Sequence, residues 1–158
     1  MMDEKMIIKA LHHRKHDWLN DLQLILGYIQ LGKLDRLKEV AQRMVVKTDK
    51  AGAYLRGNTP RLSIYLFVLE SVTTDYELNI DLEQSYEFKG SDLALDRMLD
   101  WLDVNIKEIT ASAKTSYNEE NRLYVKFEQL PDKWLVRLRF NDGQEVVGQG
   151  QLQWNEVE

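Results

Sequence analysis

Two apolar patterns with helical spacing fill the first third of the chain and meet at Gly32. The first, within residues 3–31, repeats at intervals of three and four and is interrupted by Lys15: Ile8, Leu11, Trp18, Leu22, Ile25 and Ile29. The second has the same spacing: Leu34, Leu37, Ala41, Met44, Thr48, Ala51 and Leu55. Each pattern forms a stripe along one side of a helix, and glycine commonly ends helices. The sequence therefore predicts two long helices joined by a short turn, which must lie antiparallel.

The first helix is apolar on further sides as well, so one partner helix cannot cover it. The additional residues are Leu19, Leu26, Leu24, Tyr28 and Leu31. Each Leu or Ile left in water forfeits roughly 1.5 to 3 kcal/mol of possible burial. We expect a homodimer in which two hairpins form a four-helix bundle. The alternative is that the C-terminal part of the same chain folds back over the hairpin.

The remainder of the chain mixes helical and strand patterns. Pro60 is suited to open a third helix, and a further helix is predicted over residues 91–113. Strands are predicted near residues 77–82, 123–127 and 134–140, and the tail around residues 151–154 is a candidate for the last one. The expected fold class is α+β: a helical hairpin over residues 1–58, and an α/β sandwich over residues 59–158.

Composition excludes several kinds of chemistry and partner. The chain has no cysteine, so it forms no disulfides, thiolate nucleophiles or zinc–thiolate sites. No apolar run approaches the roughly 20 residues that span a bilayer, and residues 1–5 are too charged to open a secretory signal, so we expect a cytoplasmic protein. Residues 1–57 carry a net charge of +4 and residues 58–158 one of −9. The basic half suits an acidic protein partner but is too weakly basic for nucleic acid.

All three histidines fall within five residues, at positions 12, 13 and 16. His16 lies one position beyond the apolar stripe and is therefore expected to face solvent. The neutral form of an exposed imidazole is a nucleophile that can attack phosphorus. Asp17 could orient the ring or stabilise its protonated form, and Asn20, one turn later, could donate a hydrogen bond to phosphoryl oxygens.

The face around His16 is polar or small, which suits a docking surface. Its expected members are Lys9, His12, His13, Gln23 and Gly27, with Arg14 and Lys15 as neighbouring basic residues. The competing chemistry is a metal site, because His12 and His16 are spaced like a zinc pair on one helix. No further histidine or cysteine exists to complete such a site, so we expect no bound metal.

Residues 14–25 together with Gly27 resemble the histidine box of the sporulation initiation phosphotransferase B family, a box type also found in citrate and dicarboxylate sensor kinases. The likeness extends to residues 34–36 after the turn and to Thr59 and Pro60. One departure is that Lys15 precedes the histidine, where arginine is common in the family, and Arg14 is displaced by one place. The resemblance implies a dimeric bundle followed by a domain that is similar to a histidine-kinase ATP-binding domain but lacks ATP.

The kinase ATP motifs are degenerate here. Asn105 is the only asparagine of its predicted helix, residues 142–145 break the first glycine pattern, and Gly148 and Gly150 are a weak remnant of the second. The resemblance thus implies a phosphorelay phosphotransferase in which His16 passes a phosphoryl group between aspartates of two response-regulator receiver domains. It implies no tightly bound cofactor, with Mg²⁺ held in the partner receiver. The alternatives are an ATP-dependent sensor-kinase core and a noncatalytic dimeric adaptor.

Overall fold

The computed structural model describes residues 3–55, 58–73, 75–83, 85–111 and 121–153. Within these residues the chain forms four helices and one four-stranded sheet. The elements are α1 (Glu4–Gln30), α2 (Leu34–Leu55), α3 (Pro60–Val72), β1 (Glu77–Asp81), α4 (Asp92–Ile109), β2 (Arg122–Gln129), β3 (Lys133–Phe140) and β4 (Glu145–Gln151). The strands lie in chain order; β1 is parallel to β2, and the other pairs are antiparallel. The mixed α+β architecture is as predicted.

The N-terminal hairpin forms as its sequence pattern predicts. The carboxylate of Asp3 caps α1 by accepting a hydrogen bond from the backbone N–H of Met6 at 2.8 Å. Gly32 adopts a φ of 64°, which glycine reaches without steric cost, and it turns the chain between the helices. Ion pairs join Asp17 to Lys47 and Asp21 to Arg43, so a residue later in α1 pairs with a residue earlier in α2. The two helices are therefore antiparallel.

The main core lies between the sheet and the two later helices. Its largest fully buried side chains are Tyr54, Leu62, Leu66, Met98, Leu102, Leu123, Leu138, Val125 and Val136. α3 begins at Pro60, as predicted. Hydrogen bonds fix the junction before it, since Ser63 donates to the Tyr54 carbonyl at 2.7 Å and Thr59 accepts from the Phe88 N–H at 2.8 Å. The end of α2 is thus tied directly to the C-terminal layer.

The last strand lies earlier than the sequence pattern predicted. β4 spans Glu145–Gln151 and meets the predicted tail strand only at residue 151, while Trp154 lies outside the described residues. The prediction failed because Gly148 and Gly150 interrupt the apolar alternation that identifies strands. The helix predicted over residues 91–113 is shorter, since α4 ends at Ile109 and residues 112–113 lie outside the described residues.

The apolar stripe of α1 does not pack inside this chain. α1 turns a different side toward α2 and α3, on which Ala10 is fully buried. Five of the six stripe residues are exposed instead: Ile8, Leu11, Trp18, Leu22 and Ile29. Trp18 is 57% exposed and Leu26, beside the stripe, is 59% exposed, values that belong to surface positions. The C-terminal elements that the structure describes therefore do not cover this face.

Candidate functional site

Three faces of α1 give the histidine region its geometry. A helix turns by about 100° per residue, so Ala10, Arg14 and Asp21 share the side that meets α2 and α3. The exposed apolar stripe occupies a second side. His16 lies between these two sides, in the sector that carries Lys9, Asn20 and Gln23, and all four side chains are exposed. The helix thus presents its imidazole outward without using it for packing.

Asn20, one helical turn later, is a close polar neighbour of His16. The amide nitrogen of Asn20 lies 3.2 Å from Nδ1 of His16. The amide can donate to an unprotonated Nδ1 or, with its oxygen turned inward, accept from a protonated one. In the second arrangement the lone pair of the neutral ring is on Nε2, which leaves that nitrogen free to act as a nucleophile. The pair therefore provides a ring orientation suited to nucleophilic chemistry.

Asp17 lies beside His16 in the sequence, but its carboxylate extends toward α2. It forms an ion pair with Lys47 at 3.9 Å, and both side chains are more than half exposed. Asp17, Trp18 and Lys47 also line a small cleft between the two hairpin helices. A contact of this kind helps to fix α1 against α2 next to the histidine, whereas the sequence suggested a direct role toward the imidazole.

The predicted docking residues mostly share one surface. His12, His13, His16 and Lys9 line a shallow depression together with Lys5 and Ile8, which sequence reasoning did not select. Lys5 was recognisable, because it lies one turn before Lys9 on the same side of the helix. At Gly27 an added Cβ would meet no atom within 4 Å, so the surface is low and open there. The structure therefore places His16 in a broad, accessible sector that carries several basic side chains.

Arg14 and Lys15 lie apart from that surface. Lys15 is exposed and interrupts the apolar stripe, as the pattern indicated. Arg14 points in the opposite direction from His16, with its side chain only 16% exposed. Its guanidinium donates to a carboxylate oxygen of Glu70 at 2.6 Å and lies 5.6 Å from the ring centre of Phe67. The basic residue displaced from the family position is thus engaged by α3.

The hydroxyl of buried Tyr54 also donates to Glu70. Burial, the hydrogen bond to Glu70 and the charge of Glu70 raise the pKa of Tyr54, so the phenol remains protonated and keeps donating. Arg14 from α1, Tyr54 from α2 and Glu70 from α3 therefore form one network, which we call the Arg14 clamp. Sequence reasoning missed Tyr54 and Glu70, because no local pattern indicates which residues meet across three helices.

The glycines and the asparagine that were compared with kinase ATP motifs have structural roles. Gly148 and Gly150 lie in β4 beneath the rings of Trp101 and Trp134, and an added Cβ at either glycine would overlap a ring. Asn105 donates its side-chain amide to the Trp101 carbonyl at 2.8 Å within its own helix. Residues 142–144 form the turn between β3 and β4. These positions serve packing and chain reversal.

No helix described here is long and apolar enough to cross a membrane. Within the same residues, no group of three or more His, Asp or Glu side chains is arranged to hold a metal ion. His12 and His16 thus lack a third described ligand.

Comparison with known proteins identifies relatives of this chain. Residues 1–56 match the family model described as the alpha-helical domain of SpoOB-type sensor kinases. Over 131 residues the chain is 31% identical to Sporulation initiation phosphotransferase B of Bacillus subtilis (strain 168). The matched segment covers 82% of this chain and 66% of that relative, so it spans just under two thirds of the relative's length.

Proposed function

Because its helical domain belongs to the SpoOB-type family, we propose that this protein is a phosphorelay phosphotransferase acting in the control of sporulation initiation. His16 accepts a phosphoryl group from an aspartyl phosphate on one response-regulator receiver and passes it to the aspartate of another. The observation that carries the proposal is the exposed imidazole of His16, with Asn20 against Nδ1, at the centre of an accessible basic sector.

Each half of the reaction exchanges one bond at phosphorus. The lone pair of a ring nitrogen attacks the aspartyl phosphate, a P–N bond forms, the P–O bond breaks, and the aspartate leaves as a carboxylate. The second receiver reverses these events, so no oxidant, reductant or ATP is consumed. Transfer of this kind passes through a loose, in-line transition state, and the protein contributes mainly by positioning the reactants. Mg²⁺ enters with the acidic pocket of the receiver.

Asn20 positions the imidazole in this scheme. With its oxygen toward a protonated Nδ1, it holds the neutral ring with the lone pair of Nε2 directed outward. The carboxylate of Asp17 faces Lys47 of α2 at 3.9 Å, next to the histidine.

The receiver docks on the exposed sector around His16. Lys9, His12 and His13 complement the acidic pocket of a receiver, and Gln23 contributes a polar contact. Gly27 leaves space for the partner's backbone to approach. Arg14 supports this surface from within through Glu70 rather than by contact with the partner.

A homodimer covers the exposed apolar face of α1. This face extends from Ile8 to Ile29, a length of about 30 Å at 1.5 Å per residue. Burial of each large apolar side chain contributes roughly 1.5 to 3 kcal/mol, so leaving all of them in water is unfavourable. Packing against the same face of a second copy produces the four-helix bundle and leaves His16 accessible on its outside.

Transfer of label from a receiver tests the function directly. The full chain is mixed, without ATP, with a receiver domain carrying radiolabelled aspartyl phosphate, and acid-labile label on the chain is followed over time. We expect label on the wild type and none on His16→Gln, whereas His12→Gln and His13→Gln, altered on the same surface, retain it. Label on His16→Gln would refute the acceptor assignment, and no transfer from any candidate receiver would refute the phosphotransferase.

A further inference from the structure

A cavity of about 500 Å³ lies where the end of α2 approaches the sheet. Its walls come from the end of α2, through Lys50, Ala53 and Tyr54, from Glu70 of α3, and from all four strands. The size falls within the range of sites for small molecules. None of the histidines contributes to it, so it is separate from the proposed phosphoacceptor.

The carboxylates that line this cavity already have cationic partners. Glu70 is held by Arg14 at 2.6 Å and Glu145 by Arg137 at 2.7 Å. Asp81 faces Lys126 at 3.8 Å. Because these negative charges are compensated by neighbouring cations, the lining does not call for a metal ion or an amine.

Two hydrogen-bond donors of the cavity remain available. The amide nitrogen of Asn79 is buried and has no hydrogen-bond partner among the described residues. Among the described residues, the guanidinium of Arg139 contacts the ring of Tyr124, whose centre lies 4.8 Å away. Strand register places Asn79 beside Tyr124 and Tyr124 beside Arg139, so the two donors share one row across the sheet. A buried donor without an acceptor is rare and marks a place where a ligand or an ordered water belongs.

We infer that this cavity binds a small organic anion. A carboxylate or phosphate group accepts hydrogen bonds from Asn79 and Arg139, because guanidinium and amide N–H groups are the donors that such oxygens prefer. The apolar part of the ligand lies against Ala53 and the ring of Tyr124, which line the same cavity. Ligand binding at this row does not depend on the phosphotransfer proposed for His16.

The cavity also adjoins the Arg14 clamp. Tyr54 and Glu70 line the cavity on one side and hold Arg14 of α1 on the other. A bound anion therefore lies next to the contact through which the C-terminal domain holds the histidine helix.

Three probes each carry a benzene ring and differ in the head group, so they compare a carboxylate, a phosphate and an uncharged hydroxyl: benzoate, phenyl phosphate and benzyl alcohol. Each is titrated into the full chain at constant ionic strength, and backbone amide shifts are followed by NMR. We expect saturable binding of benzoate or phenyl phosphate, with the largest shifts in β1 and β2 and none of comparable size with benzyl alcohol. Which anion binds more tightly distinguishes a carboxylate site from a phosphate site.

Two substitutions and a matched control locate the binding. Asn79→Asp keeps the shape but replaces the donor with a negative charge, and Arg139→Gln removes the cation from an exposed side chain. Either change is expected to weaken binding at least about tenfold, the usual consequence of losing a hydrogen bond to a charged group. Arg36→Gln, an exposed arginine of the hairpin, should leave binding unchanged.

Absence of saturable anion binding at millimolar concentration would overturn the inference. Binding that is equally strong in Arg139→Gln and in the wild type would also overturn it. If Asn79→Asp fails to fold, Arg139→Gln decides the question alone, since its side chain is not buried. These binding measurements stand or fall separately from the label-transfer experiment on His16.

Discussion

Loss of the Arg14 clamp should destabilise the protein more than loss of any exposed ion pair. Removing one partner of a buried pair costs about 3 to 5 kcal/mol, because the other charge is left uncompensated. The side chains of Arg14 and Glu70 are 16% and 28% exposed, so water compensates part of that cost. We therefore expect Arg14→Leu to lower the free energy of unfolding by about 2 to 3 kcal/mol. Part of this loss comes from the cation–π contact with Phe67, which contributes about 0.5 to 1 kcal/mol.

Urea denaturation of Arg14→Leu, Glu70→Leu and the double variant measures this contribution. The double variant should recover about 1 to 2 kcal/mol relative to the sum of the single changes, which is the coupling expected for contacting residues. For a chain of 158 residues, the loss in Arg14→Leu corresponds to a Tm lower by roughly 5 to 10 °C. Tyr54→Phe, which removes one donor while Arg14 remains, should cost about 1 kcal/mol.

The exposed pair Arg36 and Glu39 is the matched control. Its side chains are 65% and 61% exposed, and its removal should change stability by less than about 0.5 kcal/mol. A cost below about 1 kcal/mol for Arg14→Leu, or additive single and double variants, would show that α1 is not held by this network. The contact between α3 and the histidine helix would then contribute no more than an exposed ion pair does.

Three further outcomes can be measured on the same protein. Gly148→Ala should lower the free energy of unfolding in a urea titration by about 1 to 3 kcal/mol, because the added methyl group overlaps the ring of Trp101. Gly27→Ala adds a methyl group in open space within a helix, so in the same titration it should be neutral or stabilise the protein by up to about 1 kcal/mol. Leu22→Glu places a charge in the exposed stripe of α1 and should convert the proposed dimer to a monomer in sedimentation, while Glu39→Gln on the solvent side of α2 should not. A hydrogen bond from Lys50 lowers the pKa of Glu77, so this contact stabilises the fold above the ordinary carboxyl pKa and is lost as the pH falls through the lowered value; Lys50→Met should flatten the stability curve in that acidic range.

The elements that could be predicted are those whose local pattern is strong. The spacing of apolar residues on either side of Gly32 was sufficient to predict the hairpin, and Pro60 marked the start of α3. His16 and Asn20 could be placed together because a separation of four residues on a helix brings side chains onto one side. These inferences need no knowledge of which elements meet in space.

Contacts between distant elements could not be read from local patterns. α1 is apolar around much of its circumference, so periodicity could not show that the side facing α2 and α3 is the one carrying Arg14 and Asp21. The pairing of Glu70 with Arg14 joins positions 56 residues apart and leaves no local signal. β4 was misplaced because two of its residues are glycines that receive tryptophan rings from neighbouring elements.

The division of α1 into three faces restricts how its length can change. Inserting one residue just before His16 would rotate everything upstream by about 100° relative to everything downstream. Lys9 and His12 would leave the histidine sector, and Ala10 would no longer face α2 and α3. Relatives of this protein can therefore acquire new partners by exchanging side chains within one sector, whereas insertions and deletions in this helix should be confined to its two ends.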